Sequence, residues 1–356
     1  MYSVYSSTNK THYINPSLPA VAQQQGLLKH RVLLLGDAGV SVINPLQASL
    51  QKSIERAKLA PEQTSVIMLG DNIYANGFPN KAVGQNKFDA EQIEDISHLE
   101  AQLQISKLSN AETFIVPGNH DWYASQVDSQ ANYIDAYAKR HHTKVSFVPF
   151  KANQDPLAEI TYRDGISIVF IDTMWLLKAD NNTFIKSMHH LEQLLQQSYL
   201  LYPDNVILIN GHHPIETMGP HGGYYARFGH KMYATALEIV NGENKQDLDS
   251  LVYQRLTEGI KLALAPYKKT IFAAGHDHSL QLFKDNNNKA PQYSLVSGAA
   301  NTKKLTDVGI NKNSQFSSSV EGVFEIDILE NGVLLRIYDI YNLAPIHEQW
   351  LWNNSQ

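Results

Sequence analysis

The sequence predicts an α/β fold built on a largely parallel, layered sheet. Three observations predict it. Apolar runs of strand type alternate with helical stripes over the first two-thirds of the chain. Five of those runs end on a glycine followed by Asp, Asn or His, where a strand meets a turn. After Gly275 the pattern becomes short strand-like segments separated by turn signals. That change points to a partly antiparallel second sheet, so the sheets are expected to be mixed.

The polar start, Met1 to Gln25, has no apolar h-region. It reads as a flexible or surface-draped extension over 1–28, ahead of one domain over 29–352. The first strand is Arg31 to Leu35. Asn44-Pro45 then offers a cap and a first-turn proline, and Leu46, Leu50, Ile54 and Ala57 give a helical stripe up to Pro61. A strand over Ser65 to Leu69 follows. A second helix runs from Asp89, with Ile93, Ile96, Leu99 and Leu103 on one face. Thr113 to Pro117 is the third strand.

Further helices are expected near Ser125 to Lys139, Thr183 to Leu200 and Asp247 to Ala265. Strands over Ile166 to Asp172, Asn205 to Asn210 and Thr270 to Ala274 separate and follow them. Tyr293 to Ser297, Gly322 to Leu329, Val333 to Ile340 and Ile346 to Leu351 are strand-like, with a hairpin signal at Asn331-Gly332. Asn301 to Ser319 is polar and reads as a long loop. Tyr74 to Lys87 and Gly219 to Phe228 also read as loops, placed to form rims of a site.

Composition narrows the function. The 356 residues can bury a sizeable core. A formal net charge of -6 does not advertise a nucleic-acid groove. With no cysteine, disulfides, thiolate zinc sites and cysteine nucleophiles are excluded. No apolar run is long enough to span a bilayer. Without a visible leader the default location is the cytoplasm, and export to a periplasm or beyond stays open.

The chemistry lies in five blocks: Gly36-Asp37-Ala38-Gly39, Gly70-Asp71-Asn72-Ile73-Tyr74, Gly118-Asn119-His120-Asp121, Gly211-His212-His213-Pro214 and Gly275-His276-Asp277-His278. In an α/β sheet, strand ends converge on one crevice. Five converging sets of carboxylate, amide, phenol and imidazole groups predict a polynuclear metal site. Asp71 is the natural bridge between two ions. Asp37, Tyr74 and His278 can complete one ion, and Asn119, His212 and His276 the other. This hard-to-borderline set suits iron, manganese or zinc. A Tyr74 phenolate favours trivalent iron, because a concentrated charge is needed to displace the phenol proton. His12, His30, His98, His141, His142, His189, His190, His230 and His347 have no such block and read as structural, as does Asp172.

Together the blocks resemble the calcineurin-like metallophosphoesterases, and within them the small, single-domain purple acid phosphatases and their bacterial-type relatives. That pattern is Gly-Asp-x-Gly, Gly-Asp-x-x-Tyr, Gly-Asn-His-(Asp/Glu), Val-x-x-His and Gly-His-x-His. The departure within it is Ile209 in place of Val. The resemblance runs from about Arg31 to Tyr341. It implies a four-layer α/β/β/α sandwich with a dinuclear centre at the strand ends. It implies Fe(III) on Asp37, Asp71, Tyr74 and His278, and a divalent Fe, Zn or Mn on Asp71, Asn119, His212 and His276, with other divalent pairs possible. It also implies that His120 and His221 contact phosphate and assist the leaving group. His213 stands where the small type usually has tyrosine and is expected to add a phosphate contact.

The expected reaction is direct hydrolysis of a phosphomonoester by a metal-activated hydroxide, without a phosphoenzyme. The expected partner is a small-molecule phosphate ester, and the expected state a monomer. One alternative is a phosphodiesterase, including one for cyclic nucleotides, although the first block lacks the histidine usual in that group. A protein phosphatase would carry an arginine after Gly-Asn-His-Asp, where this chain has Trp122. A non-catalytic metal-binding module is the alternative of another class, and the intact ligand set argues against it.

Overall fold

A computed structural model describes residues 4–7, 10–19, 21, 26–81, 85, 87–123, 127–150, 154–222, 247–287 and 289–354. In chain order the elements are β1 (Val4–Ser7), β2 (Lys10–Ile14), β3 (Leu28–Leu35), α1 (Ala48–Lys58), β4 (Thr64–Leu69), α2 (Ala90–Ser109), β5 (Glu112–Val116), α3 (Val127–His141), β6 (Val145–Phe147), β7 (Glu159–Arg163) and β8 (Ile166–Phe170). Then come α4 (Thr173–Lys178), α5 (Asn181–Leu201), β9 (Val206–Asn210), α6 (Leu251–Leu264), β10 (Thr270–Ala274), β11 (Leu280–Lys284), β12 (Tyr293–Ser297), β13 (Ser314–Ser318), β14 (Gly322–Leu329), β15 (Gly332–Asp339) and β16 (His347–Asn353).

Two mixed sheets form. One has nine strands in the order β1-β2-β13-β11-β12-β10-β9-β8-β7, the other seven in the order β16-β15-β14-β3-β4-β5-β6. Strand alternation sorts the core into three layers. Val32, Leu34, Ile67 and Leu69 face Ile168, Phe170, Leu208 and Ala273 between the sheets. Leu33, Leu35, Val66 and Met68 point the other way, onto α1, α2 and α3. Val169, Ile207, Ile209 and Phe272 pack under α4, α5 and α6. This is the expected α/β/β/α sandwich, and period-two alternation produces it.

The α2 start matches the sequence reading: Asp89 caps Gln92 N–H and Gln92 answers in a capping box. Other expectations change. The N-terminal segment was expected to drape on the surface, yet β2 pairs antiparallel with β13 and β1 with β2. His12 explains the docking: its ring stacks on Phe316 and its Nδ1 bonds Ser318 Oγ at 2.6 Å. Helix α1 begins at Ala48, not at Asn44-Pro45. Its cap comes from far along the chain, since Glu321 Oε1 accepts from Ser49 N at 3.0 Å and Gln47 Nε2 at 2.7 Å. The long loop expected over Asn301 to Ser319 contains β13, whose five residues are buried despite their polarity. Residues 223–228 of the expected Gly219 to Phe228 loop lie outside the described residues, as do His230 and Ser125.

Candidate metal centre

The topology brings the five blocks together. Strands β3, β4 and β5 are neighbours in the seven-stranded sheet, and β9 and β10 are neighbours in the nine-stranded one. Their C-terminal ends meet at the seam between the sheets, as expected for ligand-binding turns of α/β proteins.

Three donors there have left-handed backbone: Asp37 at φ 61°, Asp71 at φ 54° and His276 at φ 71°. Each such residue costs roughly 1 kcal/mol or more, and such residues cluster at functional sites. Gly70, at φ 91°, leaves the room this packing needs; a Cβ there would stand 2.5 Å from His212 Nδ1. A Cβ on Gly118 would collide with the Asp71 backbone nitrogen and carboxylate.

Asp37 Oδ1 accepts from the Tyr74 hydroxyl at 2.9 Å and lies 3.3 Å from His278 Nε2. The Tyr74 hydroxyl is 3.1 Å from that same nitrogen. The Asp37 Oδ2 atom is held by His276 N–H at 2.9 Å. On the other side, His212 Nε2 lies 2.9 Å from Asn119 Oδ1 and 3.3 Å from His276 Nδ1. Asp71 stands between the two groups: Oδ1 is 3.4 Å from His212 Nε2, and the carboxylate also lies against the Tyr74 hydroxyl. Asp37, Asp71 and His212 alone offer three donor atoms within 4.8 Å of one another.

Second partners fix three of the donors. Leu69 carbonyl accepts from His212 Nδ1 at 2.8 Å, and Lys304 carbonyl from His278 Nδ1 at 2.6 Å. Asn119 Nδ2 donates to Tyr123 Oη at 2.7 Å, which turns Oδ1 toward His212. Such partners set the tautomer and orientation of metal ligands. His276 Nε2 is buried and has no hydrogen-bond partner among the described residues. A buried set of carboxylate, phenol, amide and imidazole donors converging this tightly fits a pair of cations.

Electrostatics agree. Burial disfavours charge on His212, but the Asp71 and Asp37 carboxylates outweigh it and push its pKa up to about 9. Both ring nitrogens then donate, and His212 would have to give up its Nε2 proton to hold a cation. Burial alone would raise the Asp71 carboxyl; the His212 and His120 rings override it and hold it well below the usual range. Burial and neighbouring imidazoles keep His276 well below its ordinary value, so it is neutral and ready to ligate. Burial and the Asp37 carboxylate push the Tyr74 phenol well above its ordinary value.

The three remaining predicted residues are also here. His120 N–H donates to Asp71 Oδ1 at 2.9 Å, and its side chain is 26% exposed. The His221 ring stacks on His276, with centroids 3.9 Å apart, and its side chain is 30% exposed. His213 is fully buried, with its ring 4.4 Å from that of His276 and its Nδ1 tied to Thr173 Oγ1 at 2.8 Å.

Several supporting contacts were not anticipated from sequence. Asp121 accepts from Gly118 N at 2.7 Å, Asn72 Nδ2 at 3.0 Å and Gln130 Nε2 at 2.9 Å, locking two ligand turns together. Burial and the Asp71 charge push its pKa up to about 6. Thr173 Oγ1 accepts from the backbone of both His212 and His213. Asp247 binds His221 Nδ1 at 2.8 Å. Asp172, read as structural, caps α4 through Trp175 N. The aspartate closing the third block was the one available signal for Asp121.

Comparison with known proteins adds independent findings. Tartrate-resistant acid phosphatase type 5 of Rattus norvegicus is 23% identical over 285 residues, covering 76% of this chain and 72% of its own. A purple acid phosphatase from yellow lupin, Lupinus luteus, superposes with a TM-score of 0.56 at 14% identity, over 92% of this chain and 54% of that one. GAP50, described as the anchor in the inner membrane complex of Plasmodium, gives 0.53 at 17% identity, over 92% and 90%. These structural likenesses show the fold. The model of the calcineurin-like phosphoesterases matches residues 30–280, a span that takes in all five ligand turns. The chain accordingly belongs to the calcineurin-like phosphoesterase family, as a metal-dependent hydrolase of phosphate esters.

Proposed function

We propose that this protein is a phosphomonoesterase of the purple-acid-phosphatase type, with Fe(III) beside a divalent Fe, Zn or Mn. The observation that carries the reading is Tyr74, whose hydroxyl meets Asp37 Oδ1 at 2.9 Å and His278 Nε2 at 3.1 Å. A phenol so buried gives up its proton only to a strongly polarising cation. Asp37, Asp71, Tyr74 and His278 would hold the trivalent ion, and Asp71, Asn119, His212 and His276 the divalent one. Bound there, the cations would supply Lewis-acid activation of water and offset charge on the phosphoryl group.

The chain supplies the rest. Asp247 fixes His221 Nδ1, leaving Nε2 to face substrate. Burial opposes protonation of His221, yet Asp247 and Asp277 raise its pKa, which suits it to protonate the departing alkoxide. His120 Nδ1 is engaged by the Ala75 carbonyl, so Nε2 is the atom available to a phosphoryl oxygen. His213, expected to touch phosphate, is fully buried; in this reading it supports His212 and His276 from beneath.

Tyr74→Phe tests the ligand assignment. The iron-loaded enzyme should lose its visible tyrosinate-to-iron absorption and keep a measurable part of its turnover. An unchanged absorption spectrum would refute the phenolate ligand.

A further inference from the structure

A cavity opens at the turn that carries Asn119. It has a volume of about 270 Å³ and is walled by Trp122, Phe150, Pro156 and Trp175, with the exposed Asp128 and Asp155 at its rim. Trp122 follows β5, Phe150 follows β6, Trp175 lies just after β8 and Pro156 precedes β7. In both sheets these are the next two strands along from β4 and β9, which carry Asp71 and His212. Neighbouring strands lie ~4.8 Å apart, and the strands behind the pocket walls are one and two spacings along from those that carry Asp71 and His212. Trp122 shares its turn with Asn119, whose carbonyl accepts its N–H at 3.2 Å.

The walls are held in place. Trp122 Nε1 donates to Asp172 Oδ2 at 2.9 Å, and Trp175 N–H donates to Asp172 Oδ1 at 2.9 Å. One buried carboxylate therefore fixes both tryptophans. The rings of Trp122 and Phe150 meet at 71° with centroids 6.3 Å apart. That is a corner, not the parallel slot that suits a flat ring. A corner of aromatic faces with carboxylates at its rim suits a compact cation. Asp128 and Asp155 are the charged groups among the described lining residues. Lys178 Nζ already lies 5.6 Å from the Trp122 centroid, within reach of a cation–π contact.

We propose that this pocket is a leaving-group subsite for an organic cation, an ammonium or quaternary ammonium carried by the alcohol of the phosphate ester. The inference rests on the hydrolase reading of the adjacent centre. The reaction itself is unchanged: water oxygen bonds to phosphorus, the bond to the alcohol oxygen breaks, and that oxygen takes a proton.

The test pairs ω-trimethylammonio-alkyl phosphates of increasing length with their tert-butyl-terminated neutral isosteres. For the holoenzyme, kcat/KM should favour the cation about tenfold at the best length. The ratio should fall to about one in Trp175→Ala and drop in Asp155→Asn. Trp175→Phe, which keeps an aromatic face, should retain most of it and guards against a folding artefact. Equal rates for the two series, or a ratio untouched by Trp175→Ala, would overturn the subsite. Titration with choline and 3,3-dimethylbutanol, read through tryptophan emission, needs no turnover. A saturable response to choline alone, lost in Trp175→Ala, supports the subsite even if no monoester is hydrolysed. No response to choline beside normal turnover of methyl phosphate defeats the subsite and leaves the hydrolase reading intact.

Discussion

Asp71→Asn is expected to lower kcat/KM about a thousandfold, equivalent to ~4 kcal/mol of transition-state stabilisation. The substitution is nearly isosteric. An asparagine oxygen can still accept from His120 N–H, which Asp71 Oδ1 now does at 2.9 Å. The fold should therefore survive while the charge is lost. That charge stands between His212 Nε2, 3.4 Å away, and the Tyr74 hydroxyl. In the proposed assignment Asp71 is the anion shared by both cations, so metal content measured by elemental analysis should fall with activity. The substitution also removes the main attraction that holds a proton on His212. Wild-type turnover with two cations bound would reject Asp71 as the bridge.

Asp121→Ala is expected to unfold the protein more readily by ~3–5 kcal/mol, on the scale of breaking a buried charged network. Its carboxylate is fully buried and accepts from Gly118 N, Asn72 N, Asn72 Nδ2 and Gln130 Nε2. Alanine leaves those donors unpaired in the interior, where each orphan costs about 1–3 kcal/mol and the costs are not additive. The same loss frees two ligand turns, so activity should fall even under conditions where the variant is folded. Asp121→Asn keeps an acceptor oxygen and removes a buried charge, and should lose less. Urea denaturation measures both variants. An alanine variant with the wild-type midpoint would show that Asp121 does not tie the turns together.

The convergence of the five blocks was legible because its information is local. Each of Asp37, Asp71, Asn119, His212 and His276 sits one residue after a glycine that closes a buried strand. Pattern and chemistry coincide within four or five positions. The continuous apolar run Val32 to Leu35 likewise marked a strand buried on both faces. What escaped depends on partners distant in sequence. Glu321 sets where α1 begins, 272 positions from Ser49. Thr173 orients His212 and His213 across 39 and 40 positions. β13 is a strand of Ser, Gln and Phe that looks like a loop until β2 and β11 flank it. His213 carried the right residue type at a ligand turn, but only the packing shows that His212 and His276 lie against it.

Hydrolysis of an aryl phosphomonoester beside the matching bis-aryl diester, across pH and after loading iron, manganese or zinc, tests the central claim most directly. Metal-dependent turnover that strongly favours the monoester is the expected result. A preference for the diester, or no turnover of either ester with two cations bound, would contradict it.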